Sequence, residues 1–174
     1  MNLETTAVGA EESPSTRHHT RVDDAVRTSW LLCRAGAVLC ALPIDRVVEI
    51  MRLLPIEQIA GVPGYVRGLS VIRGAPVPVV DLGLIVGDRT TQSTRLVAVR
   101  AGARTIALAV EAVLGINAVT AAERDDLPPL LRDAATDTIA AIGALDSELI
   151  VFLRAARLLP DDVLARLDRE QAAL

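Results

Sequence analysis

The basic side chains of this chain exclude several kinds of catalysis before any fold is considered. All 18 basic residues among the 174 are arginines, so no side chain carries a primary amine. A phosphate-loop lysine, a pyridoxal-phosphate Schiff base and the ATP-binding lysine of a kinase are therefore excluded. The two histidines, His18 and His19, are adjacent in a polar N-terminal stretch, so we expect no histidine base inside the fold.

Neither the cysteines nor the acidic residues form a catalytic or metal-binding motif. A structural zinc site needs about four ligands, and Cys33 and Cys40 have no histidine near them in the sequence. Asp81 follows a predicted strand, as the phosphate-accepting aspartate of a receiver domain does, but the acidic pair, the lysine and the alternating helices of a receiver are missing. We therefore predict no catalytic residues, no metal and no cofactor, with both cysteines as reduced thiols in the core; an enzyme would have to depend on carboxylates alone, such as Asp81, Glu111 and Asp146.

Charge and hydropathy indicate a protein that neither binds nucleic acid nor enters the membrane. The net charge is −4 and the pI is about 5.2, which argues against general nucleic-acid binding. The mean hydropathy is +0.40, yet no run approaches the roughly 20 apolar residues that a spanning helix needs. The N-terminus lacks the features of a signal peptide. The sequence therefore predicts a cytoplasmic protein that is not inserted in the membrane.

Polar and apolar patterning divides the chain into a tail and one folded domain. Residues 1–28 are polar and without periodicity, which predicts a disordered N-terminal tail, and residues 29–174 form the domain. Short apolar runs separated by turn residues predict ten strands. They cover residues 30–34, 37–42, 48–53, 66–73, 76–82, 94–100, 104–110, 112–121, 138–145 and 148–153. A helical turn at 43–47, a surface loop over 125–137 and a helix from Leu158 onward complete an all-β fold, which suits two small barrels.

The central stretch from Gly61 to Leu82 contains the most unusual turn of the sequence. Arg73 lies just before a predicted turn that begins at Gly74, and Gly68 and Gly74 allow backbone conformations or close approaches that other residues do not. Because a buried unpaired charge is costly, Arg73 needs solvent or a carboxylate, and Glu49 on an earlier strand is a candidate partner. Two interpretations stay open: a surface arginine that caps the turn, or an interaction residue held by an ion pair.

Four stretches, in order along the chain, resemble the CheW-like domain, the adaptor domain of bacterial chemotaxis arrays. They are LCALPIDRVVEI at 39–50, VRGLSVIRGAPVPVVDL at 66–82, IALAVEAV at 106–113, and IGALD at 142–146 followed by LIVFL at 149–153. The resemblance extends from Trp30 to about Leu159. The chain departs from the family pattern at Val71, where many members have asparagine, and at Arg154, where aspartate is frequent.

The resemblance implies two packed SH3-like five-stranded β-barrels and no enzymatic activity. It also implies an adaptor that couples the cytoplasmic tip of methyl-accepting chemoreceptors to the regulatory domain of a CheA-type histidine kinase, in receptor arrays on the inner face of the membrane. The positions that match the family's receptor- and kinase-binding residues are Val47, Glu49, Ile50, Gly68, Arg73 and Gly74. Two alternatives stay open: a barrel module that senses a small ligand, and an adaptor for a kinase system outside motility.

Overall fold

The computed structural model of the protein describes residues 27–87, 89–90, 92–125 and 138–171. The predicted tail, residues 1–28, lies outside these ranges except for its last two residues. The predicted loop over 125–137 lies outside them except for its first residue. The first strand begins at Thr28, one residue before the predicted start of the domain.

Short β-strands make up most of the described chain. Eleven are present in the described ranges, one more than predicted, because the two-residue strand β9 had no signal in the sequence. The strands are β1 Thr28–Ala35, β2 Val38–Pro43, β3 Val47–Arg52, β4 Val66–Ile72, β5 Ala75–Asp81, β6 Arg95–Ala101, β7 Arg104–Val110, β8 Ala112–Val119, β9 Arg124–Asp125, β10 Ile139–Leu145 and β11 Glu148–Leu153. The helices are α1 Leu82–Val86 and α2 Asp161–Gln171, with single 3-10 turns at Ile44–Arg46, Ala121–Glu123 and Ala155–Arg157.

The strands form two sheets whose hairpins are interleaved along the chain. Barrel A has the strand order β8-β1-β2-β11-β10-β9, and barrel B has the order β3-β6-β7-β5-β4. The hairpins are antiparallel, whereas β2 pairs with β11, and β7 with β5, in parallel. The predicted all-β fold of two SH3-like barrels with a C-terminal helix is confirmed, although one sheet has six strands rather than five.

Three apolar clusters form the core, two inside the barrels and one between them. The interior of barrel A contains Trp30 and Phe152, whose rings meet edge to face with centroids 4.9 Å apart. The interior of barrel B is aliphatic and includes Leu96. The third and largest cluster, here called the inter-barrel layer, joins the outer faces of both sheets and contains Cys33 and Cys40. The predicted burial of both cysteines is therefore confirmed.

Barrel B repeats barrel A strand by strand. Hairpin β6–β7 corresponds to β1–β2, hairpin β4–β5 to β10–β11, and the edge strand β3 to the edge strand β8. Both edge strands carry a bulge at the same place: the β3 register shifts between Val47 and Glu49, and the β8 register shifts opposite Leu32 and Cys33. Each edge strand directly follows the hairpin of the other barrel, so the two barrels exchange their outermost strands.

The β4–β5 hairpin turns one residue earlier than predicted. The turn residues are Arg73 and Gly74, because β4 ends at Ile72 and β5 starts at Ala75. Both turn residues have left-handed backbone conformations, with φ of 53° and 80°, as a type I′ hairpin turn requires. The prediction of a turn beginning at Gly74 was wrong, because Arg73 also adopts a left-handed backbone conformation, which is uncommon for a residue other than glycine.

Candidate protein-docking surface

Arg73 and Glu49 form a two-pronged ion pair at one end of barrel B. Nε of Arg73 donates to Oε1 of Glu49 over 2.8 Å, and Nη2 donates to Oε2 over 2.9 Å. The arginine side chain is 78% exposed and the glutamate side chain 22% exposed. The hydrogen bond from Arg73 holds the pKa of Glu49 below its ordinary value. The predicted pairing of these two residues is confirmed, and it fixes the guanidinium in one orientation toward solvent.

The strand that carries Glu49 exposes apolar side chains instead of burying them. Val48 and Ile50, here called the β3 strip, are 43% and 44% exposed. Ile50 lies opposite Val97 of β6, which belongs to the inter-barrel layer. The side chains of Ile50 and Val97 are therefore on the same face of the sheet, the face that contacts this layer. Because β3 is the outermost strand of its sheet, Ile50 lies at the rim of that layer, and Val47 packs against it half-buried.

A second exposed apolar strip lies on the edge strand of barrel A. Leu114 and Ile116, here called the β8 strip, are 53% and 64% exposed. Ile116 lies opposite Leu31, which belongs to the inter-barrel layer, so the β8 strip occupies the place of the β3 strip in the internal repeat. Sequence reasoning missed it. The signal that could have found it is the similarity of VVEI at 47–50 to VLGI at 113–116.

Gly68 is a structural requirement of barrel B. Its φ is 136°, and a Cβ atom there would lie 2.0 Å from the carbonyl oxygen of Glu57. Glu57 and Leu69 exchange two backbone hydrogen bonds of 2.8 Å, and Ser70 Oγ donates to the carbonyl oxygen of Pro55 over 2.8 Å. The segment that follows β3 is thereby held against β4, and Gly68 is the residue that permits this approach.

Gly74 differs from Gly68 in its surroundings. A Cβ atom at Gly74 would have no heavy atom within 4 Å, so the left-handed turn rather than a close contact requires glycine there. Of the six predicted site residues, the structure brings Glu49, Arg73 and Gly74 together at the end of barrel B. Val47 and Ile50 lie on the same strand as Glu49, whereas Gly68 contacts the preceding segment.

Asp81, the last residue of β5, caps the helix α1 that follows it. It is fully buried, and its carboxylate accepts hydrogen bonds from the backbone N–H groups of Gly83 at 3.0 Å and Leu84 at 3.4 Å. These bonds cap the N-terminus of α1. A capping aspartate of this kind is unavailable as a solvent-exposed phosphate acceptor.

The two core thiols have little reactive character. Burial raises the pKa of Cys33, and it raises the pKa of Cys40 to about 12. The thiolate is the form of cysteine that reacts and binds metals. Within the described ranges, no group of three or more His, Cys, Asp or Glu residues is placed to hold a metal ion.

The structure also has a cleft of about 600 Å³ whose lining contains no residue of the two strips. It opens between α1 and the segment that leads into α2, and its lining includes Tyr65, Ile85 and Arg157. None of the predicted site residues lines it. No helix within the described residues has the length and apolar character needed to span a membrane.

Three comparisons with known proteins agree with this architecture. Residues 29–163 match the family model of the CheW-like domain. The chain is 23% identical over 148 residues to the chemotaxis protein CheW of Klebsiella aerogenes, covering 83% of this chain and 89% of that protein. The crystal structure of the scaffolding protein CheW from Thermoanaerobacter tengcongensis superposes with a TM-score of 0.65 at 22% identity, covering 74% of this chain and 90% of that one. Since the family match spans most of the chain, including both barrels and both edge strips, the protein belongs to the CheW-like domain family.

Proposed function

We propose that this protein is a non-enzymatic adaptor that couples chemoreceptors to a CheA-type histidine kinase. The cytoplasmic tip of the receptor and the regulatory domain of the kinase are its two partners, and receptor arrays on the inner face of the membrane are its place of action. Membership of the CheW-like family supports a scaffold role in chemotaxis. The finer assignment of partners rests on the surfaces described above.

The observation that carries the proposal is the pair of exposed apolar edge strips, one on each barrel. Apolar side chains on outermost strands are an aggregation hazard unless a partner covers them. The internal repeat places one such strip on each barrel of a single body. An adaptor needs more than one docking surface, and the molecule offers the β3 strip, the β8 strip and the turn that carries the Arg73–Glu49 ion pair.

The ion pair and the β3 strip are assigned different partners. Exposed ion pairs contribute little to folding, so the orientation of Arg73 by Glu49 favours recognition over stability, and we assign this turn and Gly74 to the kinase. Val47 and Ile50 line the rim of the inter-barrel layer, which suits the apolar face of a receptor helix. Gly68 serves both contacts indirectly, by holding the segment beside β4.

Calorimetric titration tests the kinase contact. The full-length protein is titrated with the CheA regulatory domain of its own organism, as wild type and as Arg73→Glu. We expect micromolar binding by the wild type and weakening by roughly tenfold or more in the variant, because reversal of a rim charge opposes docking. Arg100→Glu is the matched control, since Arg100 is an exposed arginine of the same barrel. Equal loss in both variants would contradict a specific role for Arg73.

The receptor contact is tested separately with the full-length chemoreceptor in lipid nanodiscs. Ile50→Asp is expected to weaken receptor binding by roughly tenfold or more, since it places a charge in an apolar contact. The midpoint of thermal unfolding should change little, because Ile50 is already 44% exposed. Absence of binding to either partner by the wild type would contradict the adaptor proposal.

The cleft beside α1 supports a second candidate function, the sensing of a small ligand. Its volume of about 600 Å³ lies in the range of small-molecule sites. Native mass spectrometry of the protein purified without denaturation tests this function. A single bound mass that disappears in Tyr65→Ala, with folding retained, would favour the sensor over a simple adaptor.

A further inference from the structure

Two arginines face each other at the end of the β3 strip. Arg52 of β3 and Arg95 of β6 are direct partners in the register, and both side chains are exposed. Residues directly opposite on neighbouring strands have Cβ atoms about 5 Å apart, and like charges there destabilise the sheet. Folding alone therefore gives no reason for this pair.

No carboxylate of the described residues compensates the two charges. Arg34, Arg46, Arg67 and Arg73 take part in ion pairs between described residues, whereas neither Arg52 nor Arg95 does so there. Nη1 of Arg95 donates to the backbone carbonyl oxygen of Thr94 over 3.0 Å, which orients the guanidinium without neutralising it. Both side chains are exposed to solvent.

The arginine pair is continuous with the β3 strip. Arg52 follows Ile50 by two residues, so both side chains are on one face of the strand, about 7 Å apart. Four residues of an α-helix span about 6 Å. A helix that lies along β3 would therefore meet Ile50 with an apolar residue and Arg52 with a residue one turn away.

The internal repeat shows that the arginine pair is specific to one barrel. Counted from the bulge, Ala118 of β8 and Ser29 of β1 take the places of Arg52 and Arg95, and these two are direct partners in their own register. The β8 strip thus has apolar side chains in the same places without a facing arginine pair; a single arginine, Arg27, donates there to the carbonyl oxygen of Ala118 over 2.7 Å. The two strips have equivalent positions in the repeat, and only the β3 strip ends in two facing guanidinium groups.

We infer that Arg52 and Arg95 bind a carboxylate of the receptor helix, one turn from the apolar residue that contacts Ile50. The inference rests on the proposed function and adds to it the chemistry of the helix that the β3 strip accepts: an amphipathic helix with Asp or Glu four residues from an apolar anchor. Guanidinium groups recognise carboxylates through paired hydrogen bonds. The charge pair gives such a helix two guanidinium groups on β3, whereas the matching end of β8 has the single Arg27.

Binding to the full-length chemoreceptor in nanodiscs tests the inference, with the Arg52→Glu/Arg95→Glu double variant beside the wild type. We expect receptor affinity to fall by at least about tenfold in the double variant. Arg52→Gln/Arg95→Gln should weaken binding less and should flatten its dependence on salt concentration. Arg100→Glu, which changes one exposed charge on the same strand as Arg95, should bind as the wild type does.

Thermal unfolding of the variants and their binding to the kinase distinguish a failure of the arginine site from a failure of folding or of the adaptor proposal. Because the glutamine variant removes a like-charge contact, its midpoint of thermal unfolding should equal or exceed that of the wild type. Wild-type affinity of the double variant for the receptor, with Ile50→Asp still defective, would overturn the carboxylate site and leave the adaptor proposal standing. Loss of kinase binding with intact receptor binding would also overturn it. Failure of the wild type to bind the receptor would overturn both proposals.

Discussion

Gly68 and Gly115 allow the cost of one close contact to be measured. Both glycines have nearly the same positive φ, 136° and 139°. A Cβ atom at Gly68 would lie 2.0 Å from the Glu57 carbonyl oxygen, whereas a Cβ atom at Gly115 would have no heavy atom within 4 Å. Alanine at either position therefore meets the same backbone strain, and only alanine at 68 also collides with a neighbouring segment.

The magnitudes follow from this comparison. The shared backbone strain costs about 1–3 kcal/mol for a residue other than glycine. At position 68 the Glu57 segment must also move away, which breaks its two hydrogen bonds with Leu69, worth together about 2 kcal/mol. We expect Gly68→Ala to unfold at a temperature roughly 4–8 °C below that of Gly115→Ala, since a chain of this size loses about 2–4 °C per kcal/mol.

Thermal and urea unfolding followed by far-ultraviolet circular dichroism measure the difference. The wild type and both variants are compared at equal concentration, and the denaturant slopes establish whether unfolding remains two-state. If the two variants are destabilised equally, within about 0.5 kcal/mol, the Glu57 segment does not lie against β4 as described. Gly68 would then need a different explanation, such as direct contact with a partner.

Three further predictions concern buried or paired groups. Cys33 and Cys40 should not react with a thiol-specific reagent in the native protein and should both react in urea, because burial raises the pKa of each thiol. Asp81→Ala should destabilise the protein by about 1–2 kcal/mol through loss of the α1 cap. Asp81→Asn should reduce the stability less and should retain kinase binding. Loss of kinase binding by Asp81→Asn at unchanged stability would argue for a chemical role of Asp81. Arg34 donates to both carboxylate oxygens of Glu148 and holds its pKa below 4.5, so this group adds stability above pH 4.5 and loses it as the pH falls through the lower folded value. The unfolding midpoint of the wild type should therefore fall more steeply below pH 4.5 than that of Glu148→Gln.

Local patterning predicted most strands because apolar residues in strands and polar residues in turns have simple sequence signals. The last hairpin was placed with its turn at Asp146 and Ser147, and both residues adopt the left-handed turn conformation. The predicted C-terminal helix is present, but it begins at Asp161 rather than at Leu158, where its proline and acidic residues favour an N-terminus. Strand β9 could not be predicted, because two residues carry no periodicity.

Whether the apolar residues of β3 and β8 are buried or exposed depends on the order of the strands in each sheet. The sequence of a single strand does not contain that information. The alternation in residues 48–53 predicted a strand, but whether Ile50 is buried depends on which strand lies beside it. Since β3 and β8 are outermost strands, their apolar residues are exposed. The pairing of Arg73 with Glu49 was predictable because a turn arginine needs solvent or a carboxylate, whereas the facing arginines required the β3–β6 register.

The exchange of edge strands means that the two barrels are not separable halves. A cut after α1 would leave β1 and β2 without the rest of barrel A, and β3, β4 and β5 without the centre of barrel B. Neither fragment would contain one complete sheet, so the barrels must fold together. The connections that cross between them are short: Ile44–Arg46 joins β2 to β3, and Glu111 alone joins β7 to β8.

These short crossings also govern how a displacement travels through the molecule. Each apolar strip is joined by a few residues of backbone to the hairpin of the opposite barrel, and both are bonded laterally into their own sheet. A force applied to one strip is therefore transmitted to both barrels. No flexible linker within the described core absorbs the movement. The two barrels therefore respond to a force as one stiff element, and a displacement at one edge strip reaches the opposite barrel without loss at an internal hinge of the described core.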